Sequence, residues 1–451
     1  MSTLLFVRNL LLRGGTLLGA SAILSKCLGL LRDRLLVEIF GQGDKVDLIF
    51  ASFRIPDFFF ALLIGGTVST LFLPRVAHLE EEKKYHFLSS FLWGVVVLFG
   101  IFCGLGVFFT DSLIVLFAGG FDVTLRAEMV PLARCLFGSV FLLAVSAVFS
   151  AFQQSYHRFI SISIAPILYT GMICAGLFWW RDQWGLMTVG LAALAGATLH
   201  LLSNAYGFFA HGGQIHWTWK TPTEAWQGFK RDFFYRVLNN SAFQINQTAD
   251  ILIASFLITG SVTAFSLGSN LGFVLLSVVG FAIANSAFPK LSHAKHDYPA
   301  QKEILKTSIQ WVLFFTIPTV IVGMLFASPI LHLLFHLEGE MLRMATTVFF
   351  WTILALPATC IIPTLSRVFL ANDDALTPMK VSTASLLVAT GAAAMLSLVI
   401  LPSEKAILGL ALGNLIASGL SAILFGWMLW AQYFCKNKEV KCNNIAKTRN
   451  R

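Results

Sequence analysis

Apolar runs of about 20 residues recur along this chain from end to end, and each is long enough to cross a bilayer as a helix. Hydrocarbon offers no water to unpaired N–H and C=O groups, so such runs are confined to helices, which satisfy their backbones internally. Of its 451 residues 57% are hydrophobic and only 12% charged, against roughly 25% charged in a soluble domain. The pattern predicts an all-α polytopic membrane protein with about 12 transmembrane helices. They are placed at 14–40, 46–74, 87–110, 128–152, 159–180, 184–209, 233–258, 262–289, 305–335, 341–371, 377–401 and 405–433. The amino-terminal run is not read as a cleaved signal, because it leads straight into Lys26 and Arg32.

The formal charge of +9 could suggest nucleic acid, but its placement argues for a membrane. With a cytoplasmic N-terminus, one face collects Arg8, Arg13, Arg75, Lys83, Lys84, Arg158, Lys220, Lys230, Arg231, Lys290, Lys295, Lys302, Arg367 and Lys380, and the tail adds more. The other face holds Lys45, Arg126, Arg181, Arg343 and Lys405. That asymmetry puts both termini in the cytoplasm. The seven cysteines are scattered without a CxxC pair and read as small buried hydrophobes. The histidines have no metal-ligand spacing. The glycine pairs Gly65-Gly66 and Gly119-Gly120 lack the lysine-serine of a phosphate loop. No nucleophilic set is spaced for catalysis, so an enzyme is not expected.

The chain repeats itself. Phe72-Leu73-Pro74-Arg75 closes the second run and Phe288-Pro289-Lys290 the eighth, with Pro74 and Pro289 215 residues apart. Each half holds six runs, an even number, so the halves enter the membrane the same way round. The expected architecture is two six-helix lobes related by a parallel pseudo-twofold repeat. The domains are 1–209, an N-terminal lobe with a cationic cavity; 210–232, an amphipathic cytoplasmic linker with Trp217, Trp219 and Trp226; 233–433, a C-terminal lobe; and 434–451, a basic tail.

The halves differ in chemistry. Between Ser25 and Pro74 the apolar runs carry Lys26, Arg32, Asp33, Arg34, Glu38, Asp47, Arg54 and Asp57. Ionised groups in hydrocarbon cost a few kcal/mol or more unless they face a wet cavity or one another. Either Lys26 to Arg54 line a chamber that receives an anion, or Arg32 to Glu38 form salt bridges at a membrane surface. The C-terminal half instead carries amides and one acid: Asn239, Asn240, Gln244, Asn246, Gln247 and Asp250, then Asn270 and Asn285. Asn239, Asn246 and Asp250 share one helical face. Amides can glue helices together, whereas a carboxylate among apolar neighbours calls for a cation or a proton.

The opening stretch resembles the start of the MurJ (MviN) family of lipid II flippases, within the multidrug/oligosaccharidyl-lipid/polysaccharide exporter superfamily. The resemblance rests on Ser25-Lys26, Leu28-Gly29, Arg32-Asp33, Phe40-Gly41, Asp47 and Phe53-Arg54-Ile55-Pro56. Phe72-Leu73-Pro74, Ala254-Ser255-Phe256-Leu257, Phe288-Pro289-Lys290-Leu291-Ser292 and Thr377-Pro378 extend it. It implies two lobes in a V around a cationic cavity for an undecaprenyl-pyrophosphate-linked peptidoglycan precursor, in the bacterial inner membrane. By position, Lys26, Arg32, Asp47 and Arg54 correspond to cavity or cavity-edge residues, and Asn270 stands where the family has an arginine on the eighth helix. Phe60-Ala61 and Gly65-Gly66 replace an arginine pair and a Glu-Gly. The chain holds twelve runs where many members have fourteen helices. In some members, acidic and hydroxyl residues at places like Asp250, Asp374 and Thr390 hold sodium, although Asp374 before Thr377-Pro378 also fits a helix cap. No resident cofactor is expected; sodium or the membrane potential would supply the drive. The partners would be the lipid-linked precursor and the bilayer, with no nucleic acid, and the chain a monomer. The alternatives are an exporter of another polyprenyl-linked saccharide or an amphiphile, for which the run Phe58-Phe59-Phe60 speaks, and a non-transporting membrane scaffold.

Overall fold

Helices form at the expected places among the described residues, several of them broken or longer than the apolar runs. A computed structural model describes residues 14–64, 67–216, 226–295, 297–374 and 376–431. The expectations for residues 1–13, Gly65-Gly66, the linker residues 217–225 and the tail 434–451 lie outside the described residues. Among the described residues the structure is helical throughout, with no strand.

The first half comprises α1 (Gly14–Phe40), α2 (Asp44–Leu63), α3 (Thr67–Ala77), α4 (Glu81–Phe108), α5 (Thr110–Ala118), α6 (Val123–Ser155), α7 (Ile160–Trp179), the short α8 (Arg181–Trp184) and α9 (Met187–Phe209). The second comprises α10 (Phe229–Ser255), α11 (Ser261–Leu275), a π-helical segment Leu276–Gly280, α12 (Phe281–His293), α13 (Tyr298–Leu325) and α14 (Ala327–Phe335). It continues with α15 (Gly339–Leu354), α16 (Leu356–Ala371), α17 (Leu376–Ala394), a second π segment Met395–Ile400, a 3₁₀ turn Ser403–Lys405 and α18 (Ala406–Leu429). The expected run 46–74 is two helices, α2 and α3, and 305–335 breaks at Phe326 into α13 and α14. The run 341–371 bends by 44° between α15 and α16. Pro357 opens α16 there, and its missing N–H and bulky ring explain the bend. α4 starts six residues before its apolar run because Lys84 bridges Glu81 at 2.7 Å, a helical i,i+3 pair.

Eight helices are long and apolar enough to cross a membrane, or nine if the bent pair is one span. The shortfall from twelve falls on α1, on the broken α2/α3 and on α10, which carry the intramembrane charges and amides. This is a multi-pass membrane protein.

The chain divides into two compact units: Met1–Gln244 with Leu334–His336, and Ile245–Leu333 with Leu337–Arg451. The division falls inside α10. Within each unit the later helices pair in a similar way. In the first, α9 packs on α6 and α7, and α6 also receives α2, α3 and α4. In the second, α18 packs on α15, α16 and α17, while α15 and α16 receive α11, α12 and α13. In the first unit Phe72 stacks on Phe87 at 5.3 Å, and in the second Phe369 meets Phe425 at 5.8 Å. The start of α10 is fixed within the first unit. Arg75 bonds Asp232 at 2.7 Å and lies over the Phe229 ring. That guanidinium holds the Asp232 carboxyl below the usual carboxylate range.

Some helix contacts are tight enough to exclude any side chain. A Cβ on Gly196 in α9 would sit 2.6 Å from the Tyr169 carbonyl oxygen of α7. Gly391 in α17 has open space around it. We expect Gly196→Leu to destabilise by about 1–3 kcal/mol, the usual cost of overpacking. Gly391→Ala, which removes a flexible residue from a helix, should be neutral or stabilising by up to about 1 kcal/mol. Thermal unfolding of the purified protein in detergent measures both, and equal midpoints would contradict the packing.

Candidate functional site

Charge in the first unit collects on α1 and α2. α1 is seated on α7 by Ser21, whose hydroxyl donates to the Ser163 carbonyl, and by the Cys174 thiol reaching the Leu28 carbonyl at 3.8 Å. Gly41 at φ +83° permits the turn into α2, a conformation that disfavours other residues. α2 then begins with Asp44 and Asp47 in its first turn, where carboxylates suit the positive end of the helix dipole.

The residues singled out from the sequence are placed as follows. Arg32 is half-buried and donates from Nε and Nη2 to the same Asp33 carboxylate oxygen, at 2.9 and 2.6 Å. Its guanidinium also lies 5.7 Å from the centre of the Phe53 ring. Arg34 bridges Glu38 at 2.8 Å, one turn along. Lys26 is exposed on α1. Asp47 is 1% exposed, so it belongs to the packed start of α2 and not to an open surface. Arg54 donates to the Gln244 backbone carbonyl at 2.8 Å and to its side-chain oxygen at 3.1 Å. Asp57 is exposed one turn further along. The salt bridges expected among Arg32 to Glu38 are therefore present as Arg32–Asp33 and Arg34–Glu38. Arg34 is paired with an acid and Arg54 is held by amide oxygens, while Arg32 is paired and half-open.

The phenylalanine run is absorbed by packing. Phe59 meets Phe102 of α4 at 4.6 Å, and Phe58 meets Phe117 of α5 at 5.4 Å.

The second unit holds a different site. Asp250 is 2% exposed and accepts from Asn246 at 3.3 Å, one turn earlier on α10. It also accepts from Asn414 of α18 at 2.9 Å, and Asn246 donates to the Asn414 side-chain oxygen at 2.9 Å. This closed triangle holds a carboxylate with neutral donors. Its third member, Asn414, was missed in the sequence, although a lone amide within the run Ala406–Leu429 is a signal that could have found it. Gly413, beside it, lets α18 approach α17 so closely that a Cβ would lie 2.9 Å from the Ala389 carbonyl oxygen. Thr390 is therefore at the same level of α17, and its hydroxyl oxygen is buried without a hydrogen-bond partner among the described residues.

Asp374 is elsewhere. It caps α17, accepting from the backbone N–H groups of Leu376 and Thr377 at 3.1 and 3.0 Å and from the Thr377 hydroxyl at 2.6 Å. Sixteen residues of helix put it about 24 Å from Thr390. The cap, one of the two roles open from the sequence, is the one that the geometry displays. Asn270 is exposed on α11. A group of three or more metal-ligating side chains does not occur among the described residues.

In membrane proteins an interhelical hydrogen bond contributes about 0.6–2 kcal/mol, and one to a charged group somewhat more. Asn414→Leu removes two of these bonds beside a buried carboxylate, so we expect a loss of about 2 kcal/mol. Asn414→Asp should be worse, because it puts two like charges together. Thermal unfolding of the two variants in detergent tests this ranking; an unchanged midpoint for both would leave the triangle without structural weight.

Residues 36–447 match the family model described as "Lipid II flippase MurJ". A Thermotoga maritima protein named "Probable lipid II flippase MurJ" is 28% identical over 364 residues, covering 78% of this chain and 73% of the relative. A Rhizobium tropici protein of the same name is 25% identical over 461 residues, covering 92% and 79%. Among solved structures, a lipid II flippase MurJ in an inward closed conformation matches with a TM-score of 0.77 at 22% identity, over 92% of this chain and 87% of that one. An inward-facing multidrug resistance MATE family transporter matches with a TM-score of 0.73 at 15% identity, over 90% and 95%. These two likenesses concern the fold.

Proposed function

Because this chain belongs to the lipid II flippase MurJ family, a family of transporters and not of enzymes, we propose that it moves an undecaprenyl-pyrophosphate-linked peptidoglycan precursor from the cytoplasmic to the outer leaflet of the bacterial inner membrane. Both termini are cytoplasmic in this reading, and twelve helices cross the membrane as two parallel-repeat lobes that alternate access. The repeated helix pairing of the two units supports the repeat.

The observation that carries the substrate reading is Arg54, whose guanidinium donates to two Gln244 oxygens and is thereby held in a fixed orientation on α2. An arginine seated on amide oxygens keeps its full charge and offers a planar fork of donors that suits a pyrophosphate. Arg32 adds a second fork, already oriented by Asp33 and Phe53. Lys26, exposed on α1, adds a point charge to the same unit. Asp47 supports the start of the helix that carries Arg54. Asn270 offers amide donors where an arginine is absent. The amphiphile-exporter alternative loses its main support, because the phenylalanine run is engaged in packing.

In a flippase-depleted bacterium, Arg32→Ala and Arg54→Ala should each abolish complementation at normal protein level. Full complementation by both would refute the assignment, and accumulation of a different polyprenyl-linked glycan on depletion would favour another saccharide.

Asp250 is the proposed coupling point. Its carboxylate is buried and accepts hydrogen bonds from the neutral amides of Asn246 and Asn414. Thr390 stands on α17 at about the level of Asn414, and its hydroxyl oxygen is buried without a hydrogen-bond partner among the described residues. A sodium ion bound there would feel the membrane potential at about 2.3 kcal/mol per charge per 100 mV across the full field. In reconstituted vesicles Asp250→Asn should remove the dependence of flipping on sodium and on imposed potential, while Asp374→Asn should keep both. A dependence that survives Asp250→Asn excludes Asp250 from the drive.

A further inference from the structure

Arg32, Arg34 and Arg75 are each matched by an acid, whereas Arg367 on α16 has no acid partner among the described residues. Its guanidinium donates to the side-chain oxygen of Asn285 on α12 at 2.9 Å and lies 5.1 Å from the centre of the Phe288 ring. Among the described residues neither contact carries negative charge. Arg367 is half-buried and Asn285 is exposed, so the pair is open on one side. The arginine stands one turn before the end of α16, where a side chain could fold back onto terminal carbonyls. It is instead directed across to α12.

The pair repeats, within the second unit, the construction of Arg54 and Gln244 in the first: a guanidinium positioned by an amide oxygen. Such a seat orients the fork and leaves its charge uncompensated. It also leaves the Asn285 amide nitrogen with two donors of its own, because the amide oxygen alone is used. An anion at this place would be met by guanidinium and amide N–H groups together.

The surroundings say which anion. Phe281, Asn285 and Phe288 follow one face of α12 at helical spacing, and Phe281 is 38% exposed. An apolar strip thus runs up to a cationic, donor-rich end. A phosphate esterified to a long hydrocarbon chain has that polarity.

We propose that Arg367, positioned by Asn285, is an anion-binding point on the second unit for the phosphate of a polyprenyl-linked substrate. This rests on the flippase reading above and adds a binding residue to it in the unit where Asn270 takes the place of an arginine. Asn285 and Asn270 lie some fifteen residues, or about 22 Å, apart along their helix, so the new point does not restore the missing one. It provides a separate hold on the phosphate at the end of α12 that carries Lys290.

The test uses the full chain purified in detergent, with undecaprenyl pyrophosphate as the probe and binding read by native mass spectrometry. Loss of a charge-assisted contact predicts that Arg367→Gln binds about tenfold more weakly. Arg367→Lys should fall between the two, since an ammonium keeps the charge but not the fork. Asn285→Asp should weaken binding as much as Arg367→Gln, because a carboxylate beside the guanidinium occupies it, and its midpoint of unfolding should not fall. That variant keeps the proposal testable if Arg367→Gln does not fold. Binding undiminished in Asn285→Asp or Arg367→Gln, with Arg54→Gln impaired, overturns this inference alone. A wild-type chain that fails to bind the probe overturns the flippase reading with it. Displacement of the probe from Arg367 by cardiolipin or phosphatidylglycerol at equal concentration assigns the site to bilayer headgroups and overturns its role in substrate binding.

Discussion

An ionised side chain within the hydrocarbon must be met by something, and this requirement orders the rest of the structure. Burying one charge alone costs more than any single helix contact returns. The chain meets the requirement in two ways. On α1 arginine faces carboxylate, as in Arg32–Asp33 and Arg34–Glu38. On α2, α10 and α16 charge faces amide, as in Arg54–Gln244, Asp250–Asn414 and Arg367–Asn285. The two solutions differ in what they leave behind. An ion pair is nearly neutral to its surroundings, whereas an amide-held charge keeps its field. Where the field persists, a ligand of opposite sign is favoured.

The helices were legible because hydrocarbon length and apolar length coincide. Their interruptions were not, since an apolar count does not register a break that costs little composition. The exchange from α13 to α14 at Phe326 stands just before Ser328-Pro329, a mark that a count of apolar residues passes over. The bend at Ala355 had a visible cause in Pro357, yet Pro56 and Pro131 stand inside helices that continue through them. In a membrane, neighbouring helices can satisfy the backbone groups that proline frees, so proline alone does not decide. The two π segments, Leu276–Gly280 and Met395–Ile400, are likewise packing outcomes without a sequence mark.

Of the site, single residues were legible and partners were not. Arg34 and Glu38 are four apart, and their pairing follows from helix geometry. Arg32 and Asp33 are adjacent, a spacing that points side chains apart on a helix, and only the long guanidinium arm allows it to fold back onto its neighbour. The triangle around Asp250 closes on Asn414, 164 residues away. Nothing in the run Ala406–Leu429 says which helix its amide will face. The glycines of α18 carry part of that answer, for Gly413 fixes which side of the helix meets α17 and Gly409 which side meets the π segment Met395–Ile400, and with it where Asn414 is aimed.

The contrast between the units bears on how a phosphate could be taken up and released. Asp33 occupies the Arg32 fork with one oxygen at two distances. Displacing it would exchange one anion for another, a process that conserves charge and costs little electrostatic energy, provided Asp33 is met elsewhere. An amide oxygen such as that of Asn285 on Arg367 would yield to a phosphate without leaving an ion behind. In the substrate reading proposed above, Arg32 would add its hold on an anion only as Asp33 withdraws. Asp250 shows a similar construction with the sign reversed: a buried carboxylate accepting from two neutral amides, a seat that in the proposed coupling would suit a small cation.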